Sequence, residues 1–162
     1  MNYLNSPALA ALPMRRSAND DPVLADFPLR SFDKLRYADT DRQGHINNAV
    51  FATCLETGRA ELLYDPAAPM AEPGTAFVIV RLELDLRSEM TWPGEVAIGT
   101  AVESVGHTSF KLRQALFQND RCVALARTVI VQMNDRTHRS CSLSAASVAR
   151  LSALQWAEVK KP

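Results

Sequence analysis

The sequence predicts an α+β fold in which an antiparallel β-sheet wraps around a long central α-helix, and three observations carry that prediction. The segment Asn47–Tyr64 would run about 27 Å as a helix, and its apolar residues, among them Val50, Phe51, Cys54, Leu55, Leu62 and Leu63, occupy more than one side. Such a helix needs burial on more than one side. Four strand-like stretches then follow with only short turns between them, the pattern of consecutive hairpins. The first of these alternates strictly, Val80, Leu82, Leu84 and Leu86 against Arg81, Glu83, Asp85 and Arg87, so the sheet has one apolar face to offer. A sheet curled around the helix satisfies both needs.

In chain order, residues 1–27 read as a polar, proline-punctuated extension. Arg15 and Arg16 come after its weak apolar stretch, the reverse of a secretory signal, and the extension is expected to be mobile or draped over the domain. The domain proper is expected over residues 28–140. Leu29–Tyr37 is assigned as a strand because it leads directly into a turn at Asp39. Within the long helix, Gly58 costs roughly 1 kcal/mol against alanine and so marks a place where another element comes close. Glu56 and Arg59, three residues apart, lie on neighbouring positions and are expected to pair, with a catalytic role for Glu56 left open.

A Pro/Gly-rich loop covers Asp65–Thr75, and the Val80–Arg87 stretch reads as a half-buried strand; Arg87, weighed as a pocket residue, continues its polar face and is expected to be solvated. Further strands are expected near Glu95–Val105, Ser109–Gln118 and Arg121–Met133, separated by Trp92-Pro93-Gly94, Gly106-His107 and Asn119-Asp120. The outer face of the sheet is expected to stay polar. Residues 141–162 form a short final helix from Ser144, with Val148 and Leu151 three apart, and a frayed tail.

The junction between the first strand and the helix carries the chemistry. Asp39-Thr40-Asp41-Arg42-Gln43-Gly44-His45-Ile46-Asn47-Asn48 places two carboxylates, a glycine, an imidazole and two carboxamides in one loop. Gly44 supplies a position suited to positive φ, and Asn47 or Asn48 caps the helix by accepting from its first amides. The positive end of the helix dipole then favours negative charge beside Asp41 and His45. A purely structural turn uses much of the same alphabet but leaves the second Asp, the His and the second Asn unused. A calcium loop starting at Asp39 matches in part and fails at its twelfth position, where Val50 stands in place of the bidentate Glu.

Composition narrows the function classes. The 162 residues are most simply one domain, and a chain of this size buries about 68–70% of its unfolded surface. Eighteen basic residues balance eighteen acidic ones, which gives no general attraction for nucleic acid. The longest apolar run, Ala76–Val80, is far too short to span a bilayer. Cys54, Cys122 and Cys141 are odd in number and lack paired metal-ligand spacing, which fits a reducing cytoplasm, with Cys54 in the core. His107 and His138 fall in turns and share no ligand spacing with His45, so no metal or organic cofactor is expected.

The run Tyr-x-Asp-Thr-Asp-x-x-Gly-His-Ile-Asn-Asn from Tyr37 to Asn48, with Phe51, Glu56 and Arg59 in the helix, resembles the hotdog-fold acyl-CoA thioesterases related to 4-hydroxybenzoyl-CoA thioesterase, and the acyl-ACP thioesterases. The resemblance covers roughly Leu29–Met133, and the loop is its specific part. It implies that Asp41 is the catalytic carboxylate and that the amide at Asn48 polarises the thioester carbonyl. In the acyl-ACP relatives an Asp, an Asn and a His match Asp41, Gln43 and His45, and a Glu-Cys pair matches Glu89-Met90; Gln43 and Met90 depart from that pattern. The resemblance further implies pairing of sheets edge to edge into a homodimer or homotetramer, with pantetheine entering between subunits.

The chemistry agrees with that choice, since thioester hydrolysis needs a carboxylate that attacks or activates water and fixed donors where the oxyanion forms. The candidate residues are therefore Asp41, His45 and Asn48 for the reaction, with His45 orienting loop or substrate. Gly44, Asn47, Glu56, Glu89 and Ser109 are the candidates for substrate binding. The leading expectation is hydrolysis of an acyl-CoA; an acyl-ACP thioesterase and a non-catalytic acyl-CoA-binding domain are the alternatives.

Overall fold

A computed structural model describes residues 21–157. Strands β1 (Leu29–Lys34), β2 (Thr75–Leu86), β3 (Glu95–Val105), β4 (Ser109–Gln118) and β5 (Arg121–Asn134) form one antiparallel sheet in the order β1-β3-β4-β5-β2. Helix α1 (Asn48–Leu63) enters after β1, and helix α2 (Ala145–Ala153) follows β5. This is the α+β arrangement expected from the sequence, with α1 packed chiefly against β1, β3 and β4.

The register explains the layering. Ile98 pairs with Leu116, Thr100 with Gln114 and Val102 with Leu112, and this face looks at α1. At Gly58 the helix backbone lies so close that a Cβ would stand 2.8 Å from Ile98 Cγ2 and 2.9 Å from Thr100 Oγ1. The glycine is there for close approach, as its cost in a helix implied. Between β4 and β5, Asn119 and Asp120 have φ of 52° and 60°, the left-handed pair of a two-residue hairpin.

Several expectations need correction. The first strand ends at Lys34, and Tyr37–Asp39 form a 3-10 turn instead. The Asp39 carboxylate accepts from the Arg36 backbone amide, which closes the turn and ends the extended run. The β2 strand is an edge strand and is not half-buried: Val80, Leu82 and Leu86 are 59%, 38% and 45% exposed. A bulge at Val80 shifts the phase, so Phe77 and Ile79 lie opposite Gln132 and Ile130 on the same face as Leu82, Leu84 and Leu86. Helix α1 does not extend over that strand, and only Phe77 and Leu84 reach the core.

The outer face of the sheet is not polar either. Phe27, Ala101, Ala115, Phe117 and Cys122 form a buried cluster there, joined by Trp156. Phe27 packs on Gly99, whose missing Cβ would stand 2.5 Å from its ring, and its centroid is 4.9 Å from that of Trp156. The alternation rule missed this layer because the residues that cover it come from the two ends of the described chain. The extension was expected over residues 1–27 and a frayed tail after the final helix; of these, Phe27 and Trp156 drape over the sheet and the tail is held at Gln155 by a bridge to Val102, while residues 1–20 and 158–162 lie outside the described residues.

Helix α2 starts where expected, its Ser144 side chain accepting from the Ser147 amide. Leu151 is fully buried against Leu62, Phe110 and Leu112, so α2 completes the core at the far end of α1. No described helix is long and apolar enough to cross a membrane. Burial pushes the Cys54 thiol up to about 12 and the Cys122 thiol up to about 11, so both are protonated core groups at neutral pH.

Arg59 and Glu56 do not form the ion pair expected of them. Arg59 is buried and donates from Nη1 to Gln114 Oε1 at 3.1 Å, whereas Glu56 points to solvent. Burial lowers the Arg59 pKa, and the more distant charge of Glu56 opposes that shift.

The Gly58 contact makes a direct prediction. Alanine gains about 1 kcal/mol of helix propensity, but its methyl must push apart buried β3 and β4 side chains, an overpacking cost of about 1–3 kcal/mol. Gly58→Ala should therefore unfold at lower denaturant concentration than the wild-type chain; a higher midpoint would show that the helix has room to move off the sheet.

Candidate active site

The loop from Tyr37 to Asn48 is held at several points by its own polar groups. The Asp39 carboxylate takes the Arg36 amide at 2.8 Å and the Arg36 guanidinium at 2.7 Å, and its carbonyl accepts from the Asn47 amide at 2.8 Å. Asp39 therefore braces the loop from within, and the guanidinium and amide of Arg36 hold its pKa below the usual carboxylate value. Gly44 turns the chain with φ of 82°. Asn47 caps α1, its Oδ1 accepting from the Ala49 amide at 2.9 Å.

Asp41 sits inside this frame. Its Oδ1 accepts from the Gln43 amide at 2.8 Å and the His45 amide at 3.2 Å, and its own amide donates to the His45 carbonyl at 2.8 Å. The amides that hold the carboxylate thus belong to the loop and not, as the sequence suggested, to the first turn of the helix. Of that turn, the Ala49 amide is taken by the cap, and among the described residues none accepts from the Asn48 amide.

The loop forms one wall of a cleft of about 260 Å³, lined by Asp41, Gln43, His45, Ile46, Asn48 and Phe51 on one side and Leu86, Arg87, Ser88 and Glu89 on the other. Of the sequence candidates, Asp41, His45, Asn48 and Glu89 meet here. His45 Nε2 lies 3.9 Å from Glu89 Oε2, both on the rim. Gly44 and Asn47 belong to the loop's backbone and cap. Glu56, exposed on the helix, and Ser109, at the start of β4, do not line this cleft.

Arg87 was read from the sequence as solvated and is instead half-buried, with Nη2 3.0 Å from Asp21 Oδ1. Its neighbours Leu86 and Ser88 were not among the candidates. Their one available signal was position, immediately before Glu89-Met90. A larger concavity of about 460 Å³ lies on the outer face among Arg81, Glu83, Glu103, Lys111 and Arg127, where Arg127 pairs with Glu103 at 3.2 Å and Arg81 with Glu83. Its charges largely satisfy one another. Among the described residues no group of three His, Cys, Asp or Glu side chains is placed to hold a metal ion.

A pinned carboxylate with an unclaimed helix amide beside it can activate or replace water and hold a developing negative charge. Comparison with known proteins points the same way. A family model described as the thioesterase-like superfamily matches residues 35–151. No curated protein matches the chain. Among solved structures, a predicted thioesterase from Bacillus stearothermophilus is 26% identical with a TM-score of 0.70, the match covering 79% of this chain and 96% of that one. A Thermus thermophilus thioesterase, complexed with coenzyme A and zinc, is 26% identical with a TM-score of 0.69 over 83% of this chain and 98% of that one. A Pseudomonas aeruginosa protein reaches a TM-score of 0.76 at 22% identity over 84% and 97%, a likeness of fold.

Because the Asp39 carboxylate is held below its ordinary pKa, its contribution to stability is fully present above about pH 3.9, the unfolded value. It is lost as the pH falls from there through the lower folded value. Asp39→Asn should thus melt below the wild-type chain at pH 7, and the gap between the two melting temperatures should narrow below pH 4. A gap that is constant with pH would show that the charge on Asp39 does not brace the loop.

Proposed function

The chain belongs to the thioesterase-like superfamily, and from that premise we propose that it hydrolyses an acyl-CoA thioester to a carboxylic acid and free CoA. The observation that carries the reading is the meeting of Asp41, His45, Asn48 and Glu89 in one cleft, with Asp41 pinned by two loop amides. One oxygen of Asp41 is committed to the loop, and the other serves the reaction, as base toward water or as nucleophile on the carbonyl carbon. Either course consumes one water and releases the thiol.

In this reading the carbonyl oxygen lies against the Asn48 amide at the positive end of α1, where negative charge is favoured. His45 and Glu89, across the cleft from one another, orient the loop and the substrate. The coenzyme assignment is supported by the coenzyme A in the Thermus thermophilus thioesterase and by the departures at Gln43 and Met90 from the acyl-ACP pattern.

The β2 edge supports an assembly. Among the described residues one side of this strand is unpaired, and Val78, Ile79, Val80, Leu82 and Leu86 are exposed along it. Apolar edge strands of this kind are usually covered, and two-fold pairing with a second copy covers both at once. A homodimer through β2 also places the Leu86–Glu89 wall of the cleft beside the partner.

Two measurements test these statements. Asp41→Asn keeps an oxygen for the Gln43 and His45 amides while removing the charge, so kcat should fall by about 10²–10⁴-fold with KM changed much less. A thiol-release assay across aromatic, short, medium and long acyl-CoAs supplies the substrate. Near-normal kcat in the variant refutes the mechanism, and binding of a non-hydrolysable acyl-CoA without any turnover by the wild-type chain refutes hydrolysis. For the assembly, light scattering should give a dimer, and Val80→Lys should shift it to monomer; a wild-type monomer that retains activity overturns the β2 pairing.

A further inference from the structure

The segment facing the loop across the cleft is itself held by a residue outside the cleft. Gln118, the last residue of β4, is buried, and both ends of its carboxamide bind the backbone of one residue. The Thr91 amide donates to Gln118 Oε1 at 2.9 Å, and Gln118 Nε2 donates to the Thr91 carbonyl at 2.8 Å. A side-chain amide used this way replaces a neighbouring strand. Gly94 makes room for it, since a Cβ there would stand 3.0 Å from Gln118 Nε2.

Thr91 in turn forms an antiparallel bridge with His45, and the Ile46 amide donates to the Met90 carbonyl at 2.8 Å. His45 is tied to Asp41 by two hydrogen bonds, one in each direction. A path therefore runs from the Gln118 side chain to the Thr91 backbone, along the chain to Met90, across its hydrogen bond to Ile46, and through the adjoining His45 to the Asp41 carboxylate. Thr91 is exposed, so water can replace the Gln118 bonds when they are removed. Their loss then alters where the segment sits more than whether the chain folds.

We propose that Gln118 is a positioning residue, setting the place of His45 and Asp41 through the Thr91 backbone. It acts on the hydrolysis proposed above and rests on that reading for its kinetic part alone. Misplacement by about 1 Å costs on the order of 10²-fold in rate, so the effect belongs in kcat and not in KM.

The test uses the full chain with Gln118→Met, which fills the space without hydrogen bonds, and Gln118→Glu, which keeps the shape. Hydrogen exchange at the Ile46 amide, one step beyond the Thr91 backbone that Gln118 holds, reads the placement without any substrate. In Gln118→Met that exchange should quicken roughly tenfold, and kcat should fall by about 10–10²-fold with KM held. In Gln118→Glu the ionised carboxylate opposes the Thr91 carbonyl, whereas the protonated acid can donate to it. The ratio of variant to wild-type kcat should therefore rise as the pH falls through that carboxyl's pKa, and this arm decides the matter if Gln118→Met does not fold.

Wild-type exchange in a folded Gln118→Met overturns the proposal, as does faster exchange with kcat unchanged or a ratio that is flat with pH. A wild-type chain that hydrolyses no acyl-CoA removes the hydrolase reading, and the Ile46 exchange then decides alone whether Gln118 holds the loop.

Discussion

The close seat of α1 on the sheet is the constraint on which the rest of the structure depends. Gly58 brings the helix backbone to the side chains of Ile98 and Thr100, and Gln114, fully buried, joins the layers at that level. Its Nε2 donates to the Leu55 carbonyl and to Thr100 Oγ1, both at 3.0 Å, while its Oε1 accepts from Arg59. A carboxamide that uses both ends in the interior fixes the depth and rotation of the helix, since a shift in either leaves a buried polar group unpaired. Because the N-terminus of α1 forms one wall of the cleft, this seat also sets where Asn48 and the loop before it stand.

The polar level between helix and sheet has a second property. Among the described residues, buried Arg59 has no carboxylate paired with it and no partner for its Nε, and the hydroxyl of Thr128 in the same interior likewise has none. Such groups cost stability that apolar residues would not. Their geometric return is directional, because hydrogen bonds restrict an otherwise slippery contact between two apolar surfaces.

What was legible in the sequence was local. Helix bounds, the Asn47 cap, the positive φ of Gly44, the Asn119-Asp120 turn and the close approach at Gly58 all follow from the residue at the position and its immediate neighbours. The strands β3, β4 and β5 announced themselves through their short spacing between turn signals. What escaped reading depends on residues far apart in the chain. The exposure of β2 reflects the reach of α1, and the apolar outer face reflects Phe27 and Trp156. The preference of Arg59 for Gln114 over Glu56 reflects a partner on another element. The same holds in the site, where the loop chemistry was visible and its far wall, Leu86 to Ser88, was not.

The outer layer has a consequence for the order of events as the chain is made. Phe27 emerges early, but its seat at Gly99 and Phe117 belongs to β3 and β4, which are synthesised later. Trp156, whose ring packs at a tilt of 56° against Phe27 and carries Arg113 over it at 4.4 Å, emerges after both. The first and last described segments therefore meet on the back of a sheet whose strands lie between them in the chain, so the layer cannot be complete before residue 156 has been made. A chain interrupted before that point lacks the ring that packs on Phe27, and uncovered apolar surface of this kind favours aggregation.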